Sequence, residues 1–163
     1  PDPFKQVGEI LTKGMNVMDG YYNNPEASNT VLSPDGWLHT GDLGVLDPDG
    51  YLYIKGRSKS LILGPSGQNI YPEEIEDLLN AQPYIAESLV IEREGKLVSL
   101  VYPDAEAMKQ NKISREALLK IIHETRKQIN QQIPAYSQIA RIEIHDEEFE
   151  KTPKRSIKRF LYQ

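Results

Sequence analysis

Glycine, proline and their polar companions impose the first limit on this chain. From residue 7 to residue 55 every apolar run is short and closes on a cluster of Gly, Pro, Asn or Asp. Such punctuation leaves no room for a long helix and predicts short strands joined by turns. "GEILTKG" reads as a strand ending at Gly14, and "GYYNNPEAS" as a turn with an exposed aromatic pair. "GVLDPDGYLYIKG" reads as a hairpin, with Val45-Leu46 before a Pro-Asp-Gly turn and Tyr51 to Lys55 after it. "SLILGPSGQNIY" reads as a second hairpin, turning at Gly64-Pro65-Ser66-Gly67.

Helical spacing begins at Pro72. Proline suits the first helical position, and Glu73 and Glu74 favour the positive end of the helix dipole. Ile75, Leu78 and Leu79 form its apolar stripe. Strands over 86–92 and 96–102 are joined by Glu94-Gly95. A longer helix runs over 114–132, N-capped by Ser114 and stopped by Pro134. Its Leu118, Ile121, Ile122, Thr125 and Ile129 recur three or four apart and face a core. A strand over 138–145 turns Ala140, Ile142 and Ile144 inward. The tail "EFEKTPKRSIKRFLYQ" then carries Lys151, Lys154, Arg155, Lys158 and Arg159 within nine positions.

The first third is thus expected to be all β, and the remainder to mix strands with two main helices. That is an α+β pattern: a small β subdomain over 1–56, then a second domain over 57–163 with a short sheet and two main helices. Composition shifts near Gly56 to Ser60, which marks the boundary. The chain opens Pro1-Asp2-Pro3, which reads as a piece of something longer.

The net charge of −5 argues against a general nucleic-acid binder. No cysteine is present, which removes disulfides and thiolate metal sites and fits a cytoplasmic protein. His123 and His145 lack partners at metal-ligand spacing, so no metal site is expected. Trp37, Tyr51 and Tyr53 are expected as core or half-buried strand residues, and His39 as structural.

Asp42 follows Thr40-Gly41 at a tight turn, and Arg57 follows Gly56 after an apolar run. A carboxylate can accept two hydrogen bonds side by side, which suits the adjacent 2′ and 3′ hydroxyls of a ribose. A guanidinium offers a planar fork of donors to the same sugar or to a phosphate. The same two residues also suit a structural pair across a hairpin, and local sequence alone favours that reading.

"GEILTKGMNVMDGYYNNPEAS", "GWLHTGDLGVLDPDGYLYIKGR" and "GRSKSLILGPSGQNIYPEEIE", in this order and spacing, resemble the C-terminal part of the adenylate-forming superfamily. That superfamily holds acyl-CoA synthetases, luciferases and peptide-synthetase adenylation domains. "INQQIPAYSQI" and "FEKTPKRSIKRFLY" further resemble its long-chain fatty acid–CoA ligase branch. The resemblance implies a nucleotide site at Asp42, Arg57 and Thr40, with Asp42 and Arg57 on the ribose. It implies a hinge at Lys59, about which a lid turns between two half-reactions. It places Gly67 on a loop lining the tunnel for the CoA thiol arm.

The tail departs from that resemblance. The superfamily pattern is Thr-x-x-x-Lys-x-x-Arg, its lysine reaching the α-phosphate and carboxylate during adenylation. Thr152 and Arg159 match the ends, but Ser156 occupies the lysine position. A hydroxyl cannot replace a cation against phosphate, so Lys154, Arg155 and Lys158 become the catalytic candidates. The expected activity is that of a parent enzyme, an AMP-forming ligase for a carboxylic acid, here a fatty acid. It would use ATP, Mg2+ held through the part absent here, and CoA, with a peripheral membrane contact of the parent left open. This piece alone is expected to be inactive. The alternatives are an adenylation domain loading a carrier protein, and a non-catalytic module that holds an acidic partner through the basic tail.

Overall fold

The computed structural model describes residues 6–163; Pro1-Asp2-Pro3 lies outside them. The chain divides into two compact units, one ending at Lys59 and the other running Ser60–Gln163. The α+β class is borne out.

The first unit is a three-stranded antiparallel sheet in the order β1 (Gly8–Thr12), β2 (Leu38–Leu46), β3 (Leu52–Arg57). The β2–β3 hairpin is held at its turn by Asp47, whose Oδ1 accepts from the N–H groups of Asp49 and Tyr51. Gly44 sits where the β2–β3 register slips by one residue. A Cβ there would meet Tyr53 O at 2.9 Å and the Ile10 and Leu52 methyls at 3.0 and 3.1 Å, so the close approach of three strands requires glycine. The expectation that this third is all β is corrected by α1 (Pro25–Val31). Asn24 caps it through Ala27 N–H, and Pro25 starts it, so "NPEAS" is a helix start as well as a turn. Tyr21 and Tyr22 are exposed as expected. Trp37, Tyr51 and Tyr53 are exposed rather than core: a lone sheet of this size offers no second layer. Trp37 carries Lys13 5.8 Å over its ring instead.

The second unit starts with the short hairpin β4 (Ile62–Leu63) and β5 (Asn69–Ile70), followed by α2 (Pro72–Asn80). A second sheet has the order β6 (Ile85–Arg93), β7 (Lys96–Pro103), β8 (Ile139–Ile144). β6 and β7 form an antiparallel hairpin, and β8 returns parallel to β7 after α3 (Ala105–Gln110) and α4 (Arg115–Gln132). The six-residue α3, capped by Asp104, was not expected; it is too short to show a period.

Central β7 reads "KLVSLVYP" because both of its faces are covered. Leu97 and Val101 pack with Ile75 and Leu79 of α2 and Leu118, Ile122 and Ile129 of α4. Val98 and Leu100, on the other face, pack with Leu89, Ile91 and Phe149, and Ile157 and Tyr162 of the tail close over them. The tail is therefore part of the core rather than an appendage.

Ala140 is exposed, not inward. Leu97 pairs with Ile139 but Val98 pairs with Arg141, so Ala140 is the extra residue of a bulge. The bulge resets the alternation, and Ile139, Ile142 and Ile144 all reach the same core. Asn130 of α4 both donates to Ile139 O (3.0 Å) and accepts from Ile139 N–H (2.8 Å), which satisfies the backbone at the start of β8.

Ser99 on β7 is fully buried and its hydroxyl has no hydrogen-bond partner. A buried hydroxyl left unpaired costs about 1–3 kcal/mol. Ser99→Ala is expected to raise the urea midpoint of unfolding; a lower midpoint would show that the hydroxyl is satisfied in solution.

Arg115 at the start of α4 grips Asp146 after β8 with two hydrogen bonds, at 2.5 and 3.0 Å, and holds that carboxyl below its ordinary range. Lys151 does the same to Glu148. A carboxyl lowered on folding stabilises above its unfolded pKa, and that stabilisation is lost as pH falls through the folded value. Asp146→Asn should therefore remove a small stabilisation at neutral pH and none at the acid end, so that the variant's stability falls less steeply than the wild type's, as read by circular dichroism from about pH 7 to 2.

Candidate functional site

Asp42 and Arg57 are directly opposite one another on β2 and β3. Arg57 Nη1 donates to Asp42 Oδ1 at 2.7 Å. The Arg57 side chain is 59% exposed and that of Asp42 33%. The hairpin pair is thus formed, with Asp42 Oδ2 taking no part in it and both groups open to a ligand. The backbone around them is tied down. Thr40 Oγ1 donates to Ile10 O (2.8 Å) and accepts from Asp42 N–H (3.0 Å). Thr40 is thereby placed behind Asp42, holding its turn. Gly41 has φ +72, and a Cβ there would lie 3.7 Å from the Arg57 guanidinium.

Glu9 of β1 completes the floor and was not singled out from the sequence. Its Oε1 accepts from Gly41 N–H (3.1 Å), and its Oε2 lies 2.9 Å from His39 Nδ1. The hydrogen bond to His39 holds the Glu9 carboxyl below its ordinary range. His39 is therefore engaged within the sheet, as expected of a structural histidine. Nothing in the local sequence links positions 30 residues apart, so only strand register could have found Glu9.

Lys59 lies in the 3-10 turn Ser58–Ser60, where one unit gives way to the next. Gly67 has φ +80, a left-handed conformation that favours glycine, and a Cβ there meets nothing within 4 Å. The turn is closed by Gly67 N–H to Gly64 O (2.9 Å) and Gly64 N–H to Gln68 O (2.8 Å). Within this unit it is conformation, not crowding, that requires the glycine. A groove of about 470 Å3 beside the hairpin is lined by Pro65, Ser66, Gln68, Lys96, Tyr136 and Gln138 among others.

The tail folds into a tight hairpin. Lys151 bridges Ile157, Thr152 N–H donates to Ser156 O (2.9 Å), and Arg155 N–H donates to Thr152 O (2.8 Å). Thr152 Oγ1 accepts from Ser156 N–H at 3.2 Å, so the threonine builds the loop that Ser156 ends. The five cations are not one solvated patch. Lys151 pairs with Glu87 and Glu148, Lys158 with Glu150, and Arg159 with Glu73 and Glu76. Among the described residues Lys154 and Arg155 alone of the five have no ion pair, and both stand exposed at the tip beside Ser156. Lys158 is turned back along the hairpin, 3.0 Å from Glu150.

Residues 59–162 match the AMP-binding enzyme C-terminal domain. The chain belongs to that family. It is 50% identical over 99 residues to indoleacetate–CoA ligase of Aromatoleum aromaticum, an alignment covering 58% of this chain and 19% of that protein. It is 41% identical over 122 residues to 2-succinylbenzoate–CoA ligase of Bacillus cereus, covering 75% and 24%. Among solved structures it resembles O-succinylbenzoate coenzyme A synthetase of Bacillus subtilis in complex with ATP and a magnesium ion, with a TM-score of 0.69 and 30% identity. That match covers 96% of this chain and 30% of the synthetase. The chain spans about a fifth to a quarter of the length of the curated relatives it matches. The family's C-terminal domain therefore starts at the residue where the structure passes from its first unit to its second.

Proposed function

We propose that this chain is the C-terminal part of an ATP-dependent acid–CoA ligase, which first forms an acyl-adenylate and pyrophosphate and then passes the acyl group to the CoA thiol. The observation that carries the reading is the Asp42–Arg57 pair, held at 2.7 Å on opposed strands and open to solvent. Asp42 accepts the two ribose hydroxyls. Arg57 keeps the carboxylate oriented while adding donors of its own. Thr40 and Glu9 hold the turn, so that the carboxylate is aimed before the nucleotide arrives. Lys59 is the pivot; a few backbone dihedrals suffice for a rigid-body turn. Gly67 keeps a bare stretch of backbone where the CoA arm passes. Magnesium is assigned to phosphates held elsewhere in the enzyme.

The named relatives are CoA ligases, which favours free CoA over a carrier protein as acceptor. Their acids are indoleacetate and 2-succinylbenzoate, so they lend no support to a long-chain fatty acid, and the acid is left unassigned. A cytoplasmic location is proposed only because a chain without cysteine suits a reducing compartment. The pairing of Lys151, Lys158 and Arg159 with carboxylates disfavours a module that grips acidic partners through its tail.

The reading is tested with the full-length enzyme and a panel of carboxylic acids. Acid-dependent exchange between pyrophosphate and ATP, with thioester formed only when CoA is added, is expected; no acid-dependent exchange would overturn it. Lys154 and Arg155 are the free cations at the hairpin tip and take over the phosphate contact that Ser156 cannot make. A charge-assisted contact contributes about 1.5–3 kcal/mol, or roughly 10- to 100-fold in rate. Ser156→Lys should speed adenylate formation by up to that factor and leave transfer from preformed adenylate to CoA unchanged. Equal response of both half-reactions would mean that the substitution acts on stability alone.

A further inference from the structure

Among the described residues β6 is an edge strand: β7 lies on one side of it and no strand on the other. Its open edge is nonetheless satisfied at Val90. Val90 N–H donates to Glu76 Oε1 at 2.6 Å, and Val90 O accepts from Arg159 Nη1 at 3.3 Å. Glu76 Oε2 accepts in turn from Arg159 Nη2 at 2.5 Å. Together the carboxylate and guanidinium do for Val90 what a neighbouring strand would do. Glu76 belongs to α2 and is buried, 8% exposed; Arg159 belongs to the tail, 83 residues later.

Packing already holds the tail without this pair. Phe149, Ile157 and Tyr162 bury apolar surface against the sheet. Burial pushes the Glu76 carboxyl up, against the pull of Arg159, so holding a carboxylate here costs free energy. Apolar contact is non-directional, whereas forked contacts to a carboxylate and a backbone carbonyl fix an orientation. Arg159 stands three residues after Ser156, and Lys158 N–H donates to Glu150 O between them, so whatever fixes Arg159 fixes the hairpin tip. Glu73 adds a longer contact to the same guanidinium at 3.5 Å.

We propose that Glu76 is a positioning residue for adenylate formation, which, through Arg159 on the open edge of β6, sets the direction in which Lys154, Arg155 and Ser156 point. The inference rests on the ligase reading above. It assigns to α2, an element remote in sequence from the tail, control over one half-reaction only.

The test uses the full-length enzyme. Glu76→Gln keeps the shape and an acceptor for Val90 N–H but removes the charge that holds Arg159. The expected result is a fall of about tenfold in the kcat of adenylate formation, with the KM for ATP and the transfer from preformed adenylate to CoA unchanged. Arg159→Lys should give the same split, and the double variant should be no slower than the worse single one. Hydrogen exchange in the same variants should quicken at the 152–156 amides and stay slow in 118–129. A Glu76→Gln enzyme that forms adenylate at the wild-type rate would overturn the inference and leave the ligase reading intact. So would a loss shared equally by both half-reactions, or slow exchange retained at 152–156. An enzyme that makes no adenylate at all, in the unaltered form, overturns the ligase reading and this inference with it.

Discussion

Replacing Asp42 by alanine in the full-length enzyme is expected to lower ATP-dependent adenylate formation by about 100- to 1000-fold. The proposed contact is a carboxylate accepting two ribose hydroxyls, and its loss leaves two hydroxyls and the Arg57 fork without their acceptor. Charge-assisted bonds of this kind contribute about 1.5–3 kcal/mol each, so two of them account for the factor. Fold stability should hardly change. The Arg57 side chain is 59% exposed, and water can take the place of its partner. Asp42→Asn keeps one acceptor and should retain more activity than alanine. Wild-type turnover and KM for ATP in Asp42→Ala would remove the ribose assignment and leave the pair as a strut of the β2–β3 hairpin.

The second large effect lies in the core. Leu79 ends the buried stripe of α2 and has no exposed surface. Leu79→Ala should cost the second unit about 2–5 kcal/mol, from lost transfer energy plus the cavity left behind. That is a large share of the roughly 5–15 kcal/mol by which domains are ordinarily stable. Leu119 of α4 is 53% exposed, and Leu119→Ala serves as the control, with a change within roughly 0.5 kcal/mol. Equal urea midpoints for the two variants would contradict the packing described for this unit.

Elements with a strong local signal were legible in the sequence. Pro72 and the two glutamates after it begin α2; Ser114, a sustained period and Pro134 delimit α4; the Glu94-Gly95 turn joins β6 to β7. What stayed hidden depends on register and distance. Ala140 was expected inward because alternation is unbroken in the sequence, whereas the bulge that breaks it exists only in the pairing with β7. The exposed aromatics Trp37, Tyr51 and Tyr53 were expected to be covered, because composition does not say how many layers a sheet has. At the site, Asp42 and Arg57 were visible as residue types in a motif, yet their direct opposition is a fact of strand pairing. Glu76 left a trace: it falls on the same helical face as Ile75 and Leu79, where a charge calls for a partner. The partner, Arg159, lies too far along the chain for any local rule to name.

The double covering of β7 also bears on how the protein is made. Synthesis runs from N- to C-terminus, so β6 and β7 leave the ribosome well before the segment that shields their second face. At about 5–20 residues per second, the strip formed by Leu89, Ile91, Val98 and Leu100 waits for several seconds before Phe149, Ile157 and Tyr162 arrive. During that interval the nascent hairpin offers chaperones a sticky surface, and the emergence of the tail is the moment at which it ceases to be a client.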